Sequence, residues 1–318
     1  MHLLKALSAL FSLLLLSACA DRELPSDVTD PNIVGLFNEL SGNISGELTA
    51  ENSPYKVTSN LIIASNTTLQ IDPGVELYFV KDAGLIVNGQ LKISGNYYYS
   101  VLLAAYDQND LWKGIQFLNG TADSKIDFAD IRDIRQNNDS LASICVINST
   151  LEITHSYIYQ NSAVNGGALR TINADVSIEN NIIRDNKSDL YAGAVLSEES
   201  NITIVNNTFY QNSAIHYCGG LFVTNPTKAD IQNNIFYKNS SFSGDPNFVF
   251  SGQDSSKLFF KYNFLAVGNM DPMFYTDFDL RIYYLSPCKD AGNPDPSFND
   301  TDGSRNDQGA YGGPLGDW

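Results

Sequence analysis

Four stretches of this chain copy one another. Leu151–Asn161 reads LEITHSYIYQN, Val176–Asn186 reads VSIENNIIRDN, Ile202–Asn212 reads ITIVNNTFYQN and Ala229–Asn239 reads ADIQNNIFYKN. Counted from Ile153 to Ile178, Ile204 and Ile231, the steps are 25 to 27 residues. A period of that size means stacked structural units, each burying its apolar face against the next. A degenerate copy precedes them at Ile126–Phe128, and another follows at Phe260–Phe264. Inside each unit the apolar residues alternate, break at an Asn-Asn pair in the last three copies, and resume. That pattern is a short strand, a bend and a second short strand, not a helix. Small-residue segments follow at Gly166–Leu169, Ala192–Val195 and Cys218–Leu221, and their glycines permit the corner that a third strand needs. Three short strands per turn, none able to bury its apolar face alone, predict a solenoid. Leucine-rich repeats share the period but require leucines at fixed offsets, which this chain lacks.

Stacking at about 4.8 Å per coil turns equivalent positions into columns. One inward column reads Phe128, Ile153, Ile178, Ile204, Ile231, and another Ile158, Ile183, Phe209, Phe236. Between them runs Asn180, Asn206, Asn233, with His155 and Asp130 assigned to the same position in earlier coils. Carboxamides so aligned can bond along the stack, so these asparagines are read as structural. The position after the Ile/Phe column reads Tyr159, Arg184, Tyr210, Tyr237, and the next Gln160, Asp185, Gln211, Lys238. An exposed column of rings with polar neighbours suits stacking on sugar faces or anchoring a protein partner. Tyrosine also simply suits a half-exposed strand.

The formal net charge of −17 opposes nucleic acid and anionic lipid as partners, because binding phosphate needs a cationic surface. The N-terminus carries Lys5, a short leucine-rich run and Leu16-Ser17-Ala18-Cys19, the pattern of a secretory signal too short to span a bilayer. Beyond Cys19, an odd number of cysteines remains, Cys145, Cys218 and Cys288, without metal-type spacing. Buried thiols are expected, with room for one disulfide but not a disulfide framework.

The segment ending at Cys19 resembles the lipobox of bacterial lipoproteins. That resemblance implies a signal peptide over 1–18, acylation of Cys19 and attachment to the membrane through it. Ala20, rather than Asp21, follows the cysteine, and the absence of an acidic residue directly after it implies the outer membrane of a bacterial envelope. The tetrads Phe209–Asn212 and Phe236–Asn239, with Gly166–Leu169, resemble right-handed parallel β-helix repeat proteins of bacterial envelopes and the repeats of polymorphic membrane proteins. Ser53–Val57, Thr68–Phe79 and Gly84–Leu91 are similar to their opening coils, and Ser286–Gly292 and Asp302–Gly313 to their closing segment. The implied fold is all-β, a single-stranded right-handed parallel β-helix of the pectin-lyase-like kind. Residues 19–50 are then a tether whose stretch Ile33–Leu40 caps the first coil, 51–265 form eight or nine coils, and 266–318 an Asp-rich closing cap. The family spans lyases, hydrolases, epimerases and adhesins, so it does not name an activity.

Two further clusters carry possible chemistry. Asp127, Asp130 and Asp133 lie close in sequence, with Glu152 assigned above Asp127 and His155 nearby, which makes Asp127, Asp130, Glu152 and His155 the catalytic candidates. Glycoside hydrolysis needs two carboxylates at a set separation. The paired-aspartate, Gly-His-Gly and Arg-x-Lys signatures of the pectin-hydrolase branch are absent, and so is the Trp-x-Asp-His strand of a lyase. His155, at an asparagine position, reads as structural, and His216, beside Tyr217, as solvated. Asp300, Asp302 and Asp307, with Gly303 and Asn306, form either a calcium loop or a solvated acidic turn, and no Glu completes an EF-hand pattern. The expected function is a lipid-anchored envelope protein presenting a rigid face to polysaccharide or another surface molecule. A polysaccharide lyase or hydrolase and a structural or adhesive spacer are the alternatives.

Overall fold

A computed structural model describes residues 37–120 and 122–318. The signal segment, Cys19 and the first half of Ile33–Leu40 lie outside the described residues. Every strand-to-strand ladder is parallel, as a coil stacked on a coil requires. One middle coil runs from Leu169–Ile172 through Asp175–Glu179 and Ile182–Arg184 to Lys187–Tyr191. We call the faces carrying Asp175–Glu179, Ile182–Arg184, Lys187–Tyr191 and Leu169–Ile172 the first, second, third and fourth. The third face, a sheet of five short strands, is an addition to the three strands per turn expected from the repeat. The first face stacks nine strands. The second and fourth faces merge at the N-terminal end, where Tyr55–Ile63 pairs through its first half with Glu76–Phe79 and through its second with Leu85–Val87. Asn38–Asn43 and Gly46–Leu48 already pair with the next coil, so the solenoid begins inside the stretch read as a tether.

The core is the predicted pair of columns with one correction. Ile126, Ile153, Ile178, Ile204 and Ile231 stand in register and are fully buried. Phe128 is not among them; it occupies the corner, with φ of 49°. A shift of two residues preserves inside-outside alternation, so the pattern alone could not reject it. The second column, Ile158, Ile183, Phe209 and Phe236, is as expected, and Ile131 extends it by one coil.

The corner between first and second faces explains the asparagine pairs. Its first residue takes the left-handed conformation, with φ of 47° at His155, 53° at Asn180 and Asn206 and 60° at Asn233. Asparagine tolerates that region better than other side chains bearing a Cβ. In this column Asn233 Nδ2 donates to Asn206 Oδ1 at 3.3 Å, but the continuous ladder is built by the second asparagine. Asn181 Nδ2 donates to Asn207 Oδ1 at 3.1 Å, Asn207 to Asn234 at 3.0 Å and Asn234 to Asn263 at 2.9 Å. A parallel ladder of Asn161, Asn186, Asn212 and Asn239 closes the next corner. Asp130 pairs with Tyr157 on the second face and is not a corner residue.

The left-handed asparagines face outward and hold the C-terminal segment, which runs back along the coils as a strap. Gly309 N–H donates to Asn233 O at 2.8 Å, Asn206 Nδ2 to Asp307 O at 2.9 Å, and Asn180 Nδ2 to Ala310 O at 2.9 Å and Gly312 O at 2.7 Å. Trp318 then meets Phe128 edge to face at 6.0 Å. The inward side chains of the last coil, Phe248, Phe250, Leu258 and Phe260, remain half-buried.

Candidate functional site

The tyrosine column has the predicted register but not the predicted exposure. Tyr159, Arg184, Tyr210 and Tyr237 stack on the second face, yet Tyr159 is buried and Tyr210 wholly so. The strap packs on Arg184, Tyr210 and Tyr237. Tyr210 donates its phenol proton to Asp277, Lys238 Nζ reaches the same carboxylate at 2.9 Å, and Arg184 Nη1 donates to Asp277 O at 2.7 Å. Phe274 packs edge-on against Tyr210 and Tyr237 at 6.0 Å each. Burial, reinforced by the Asp277 bond, pushes the Tyr210 phenol up to about 12. Tyr210 is therefore interior packing between coil and strap, and Tyr237 is half-buried beside it.

Of the four catalytic candidates, the fold brings Asp127 and His155 together. His155 Nδ1 lies 2.8 Å from Asp127 Oδ1, which also accepts from Thr154 Oγ1 at 2.8 Å. Burial alone would raise the Asp127 carboxyl, but the bonds from His155 and Thr154 outweigh it and hold the group below its ordinary value. Glu152 is not stacked on Asp127. Its register partner is Lys125, whose Nζ it binds at 2.9 Å, while Asp127 pairs with Thr154. Asp130 points from the second face and accepts from Ser100 Oγ at 2.9 Å. The remaining nitrogen of His155 lies 3.1 Å from Leu315 O, and Phe128 and Trp318 pack on the ring. The strap thus covers part of the pair, and the Asp127 side chain stays 25% exposed.

The acidic loop is stitched by its own backbone. Asp300 accepts the amides of Asp307 at 3.0 Å and Gly313 at 2.5 Å, Asp302 accepts Ser304 N–H at 2.8 Å, and Asp307 accepts Asp290 N–H at 2.6 Å. No three acidic, histidine or cysteine side chains among the described residues converge as a metal set. Asp300, Asp302 and Asp307 thus each accept at least one backbone amide of the loop itself.

An open concavity lies elsewhere, at the corner between the third and fourth faces. Tyr191, His216, Tyr217, Ser243 and Gly244 line a groove of about 400 Å3. Tyr191, His216 and Ser243 occupy one register position in three successive coils. Tyr217 stacks on Phe222 at 4.8 Å and meets Tyr191 edge-on at 5.1 Å, and it stays 45% exposed. Gly244 has φ of 109°, and a Cβ there would lie 2.2 Å from Tyr217 O, so the corner closes only with glycine. His216 Nδ1 lies 3.2 Å from Ser243 Oγ. The lining is thus aromatic, with an imidazole and a hydroxyl that can donate and accept hydrogen bonds.

Residues 84–257 match the family described as right handed beta helix region, which is more than half of the chain. The chain belongs to that family. No curated protein and no solved structure matches it. For a right-handed β-helix the groove sits where loops vary between coils, and the repeat reading passed over it for that reason. The available signal was the recurrence of Tyr191, His216-Tyr217 and Ser243-Gly244 about 26 residues apart, outside the recurring Asn motif. The β-helix keeps Cys145, Cys218 and Cys288 as free, buried thiols rather than pairing any of them. Burial pushes Cys145 up to about 11 and Cys288 up to about 12, so both stay protonated and inert.

Proposed function

We propose that this β-helix is a lipid-anchored protein of the bacterial cell envelope, held at the outer membrane through Cys19, that binds an uncharged polysaccharide in the groove of Tyr191, His216, Tyr217 and Ser243. The observation that carries the reading is that groove: exposed ring faces beside a hydroxyl and an imidazole, on a scaffold that cannot collapse around them. Pyranose rings present C–H faces that stack on aromatics and hydroxyls that need donors and acceptors. A net charge of −17 opposes acidic glycans and favours neutral ones.

The test uses soluble protein starting at residue 19 with Cys19→Ser, mixed with a panel of neutral and acidic polysaccharides and resolved by size-exclusion chromatography. Co-elution with an intact neutral chain, lost in Tyr191→Ala/Tyr217→Ala, supports binding. Shortened chains would make the protein an enzyme instead, and no interaction with any glycan would leave an adhesive or structural role. The anchor is tested separately by fractionating cells: Cys19→Ser should release the protein from the membrane fraction, and retention would overturn lipidation.

A further inference from the structure

The groove stops at Tyr191 on its N-terminal side, although the register position that lines it does not. Ser243, His216 and Tyr191 occupy that position in successive coils, and Asn165 occupies it one coil further back. On the adjoining fourth face, Phe222, on which Tyr217 stacks, is followed in register by Leu196 and then Arg170. Asn165 and Arg170 are therefore the next step of the same corner, yet neither lines the open groove. Residues 137–140 lie over them. The Asp139 carbonyl accepts from Asn165 Nδ2 at 2.9 Å and from Arg170 Nη1 at 3.0 Å. This covering leaves a defect. Asn165 is 8% exposed, and among the described residues no group donates to its buried Oδ1. Rotating the carboxamide would only set that oxygen against Asp139 O. A buried acceptor without a donor opposes closure of whatever covers it.

The covering segment is itself lightly held. Residues 137–140 are all exposed, and they bond mostly to their own neighbours: Arg135 Nε donates to Asn137 Oδ1 at 2.9 Å, Asn138 N–H to Gln136 Oε1 at 3.0 Å, Ser140 N–H to Asn138 Oδ1 at 2.9 Å and Leu141 N–H to Asn138 O at 3.1 Å. Among the described residues, the hydrogen bonds that tie the segment to other coils converge on Asp139 O. We infer that residues 137–140 are a lid over a further saccharide subsite, in which Asn165 and Arg170 take the hydroxyls of a neutral chain extending past Tyr191. The inference rests on the groove being a glycan site. With the lid lifted, Asn165 accepts through Oδ1 and donates through Nδ2, and Arg170 donates through Nη1 while its Nε stays on Glu198 at 2.5 Å. Neighbouring hydroxyls of a pyranose both donate and accept, so they satisfy these groups and supply the donor that Asn165 lacks. Glu198 balances the charge of Arg170, which suits hydroxyls rather than carboxylates. From Asn165 to Ser243 is three coil steps, roughly 14 Å at about 4.8 Å each, so the extended site takes a chain rather than a single sugar.

The soluble Cys19→Ser protein is titrated with cello-oligosaccharides and with malto-oligosaccharides, each from the disaccharide to the octasaccharide. In a series that the groove retains, affinity should rise about tenfold at the length that reaches past Tyr191, and Asn165→Leu and Arg170→Ala should each flatten that step. Without either substitution, the magnetic resonance signals of the Asn165 carboxamide and of the Asp139 and Ser140 amides should shift together with long chains and stay in place with the disaccharide, a readout that needs no variant at this site to fold. Long chains that shift only Tyr191, His216 and Tyr217, with an affinity independent of length, would overturn the lid and its subsite and leave the groove standing. A step that survived both substitutions would equally overturn it. Retention of no member of either series would overturn the groove reading itself, and this inference with it.

Discussion

Asn181 and Asn207 occupy the same corner of consecutive coils, and Oδ1 of Asn207 accepts both the backbone amide of Asn181, at 3.0 Å, and its carboxamide, at 3.1 Å. Asn207 also donates to Ile178 O at 2.7 Å and to Asn234 Oδ1 at 3.0 Å. One buried side chain therefore satisfies polar groups in three coils. Asn207→Ala leaves several of them without partners and should cost about 3 kcal/mol, measured as a lower urea midpoint. Asn173→Ala, in the exposed ladder where Asn173 Nδ2 bonds Asn148 Oδ1, should cost about 1 kcal/mol, most of it from the left-handed backbone. Equal losses at the two positions would refute the buried ladder as the dominant corner element.

Gly167 marks how tightly consecutive coils approach. A Cβ there would lie 2.0 Å from Gly193 O and 2.7 Å from the Lys187 carbonyl, both backbone atoms that cannot swing aside. Gly167→Ala should destabilise by about 3 kcal/mol. Gly42→Ala, with φ of 74° but open space around it, should cost only about 1 kcal/mol. Thermal melts of the two variants check the ordering.

Burial first, and then the charge of Asp300, push the Asp307 carboxyl above its ordinary value. A carboxyl raised on folding is bound to its proton more tightly in the native state, so its contribution to stability is present at low pH and lost as pH rises through the folded value. Asp307→Asn should therefore raise the melting temperature at pH 7 relative to the unmodified protein, with the advantage shrinking toward pH 3. An advantage that grew on acidification would contradict this sign.

Tyr210 and Tyr217 should behave oppositely. Tyr210 is buried beneath the strap, so Tyr210→Ala should lower stability by about 3 kcal/mol and leave saccharide retention by the folded fraction unchanged. Tyr217 is exposed in the groove, so Tyr217→Ala should weaken retention at least about tenfold with little effect on melting. Affinity chromatography on an immobilised neutral polysaccharide, paired with melts, separates the two. Binding lost with Tyr210 and kept with Tyr217 would return the site to the second face.

The solenoid itself was legible because every coil solves the same problem. Ile153, Ile178, Ile204 and Ile231 meet as neighbours one period apart, so burial of each is written in the repeat. The left-handed corner at Asn180, Asn206 and Asn233 was legible as an asparagine position, and Asn233 bonds Asn206 along the stack, although the continuous ladder runs through the neighbouring Asn181, Asn207 and Asn234, because a sequence cannot tell which of two adjacent carboxamides points inward. The burial of Tyr210, the partly covered His155–Asp127 pair and the stitched acidic loop were decided by the strap or by folding within it. Its contacts, such as Leu315 with His155 and Asp307 with Asn206, join residues more than 100 positions apart with no period between them. Repetition makes coil-to-coil pairing readable one unit at a time, whereas a single return of the chain over its own surface is specified only by the complementarity of the two folded surfaces.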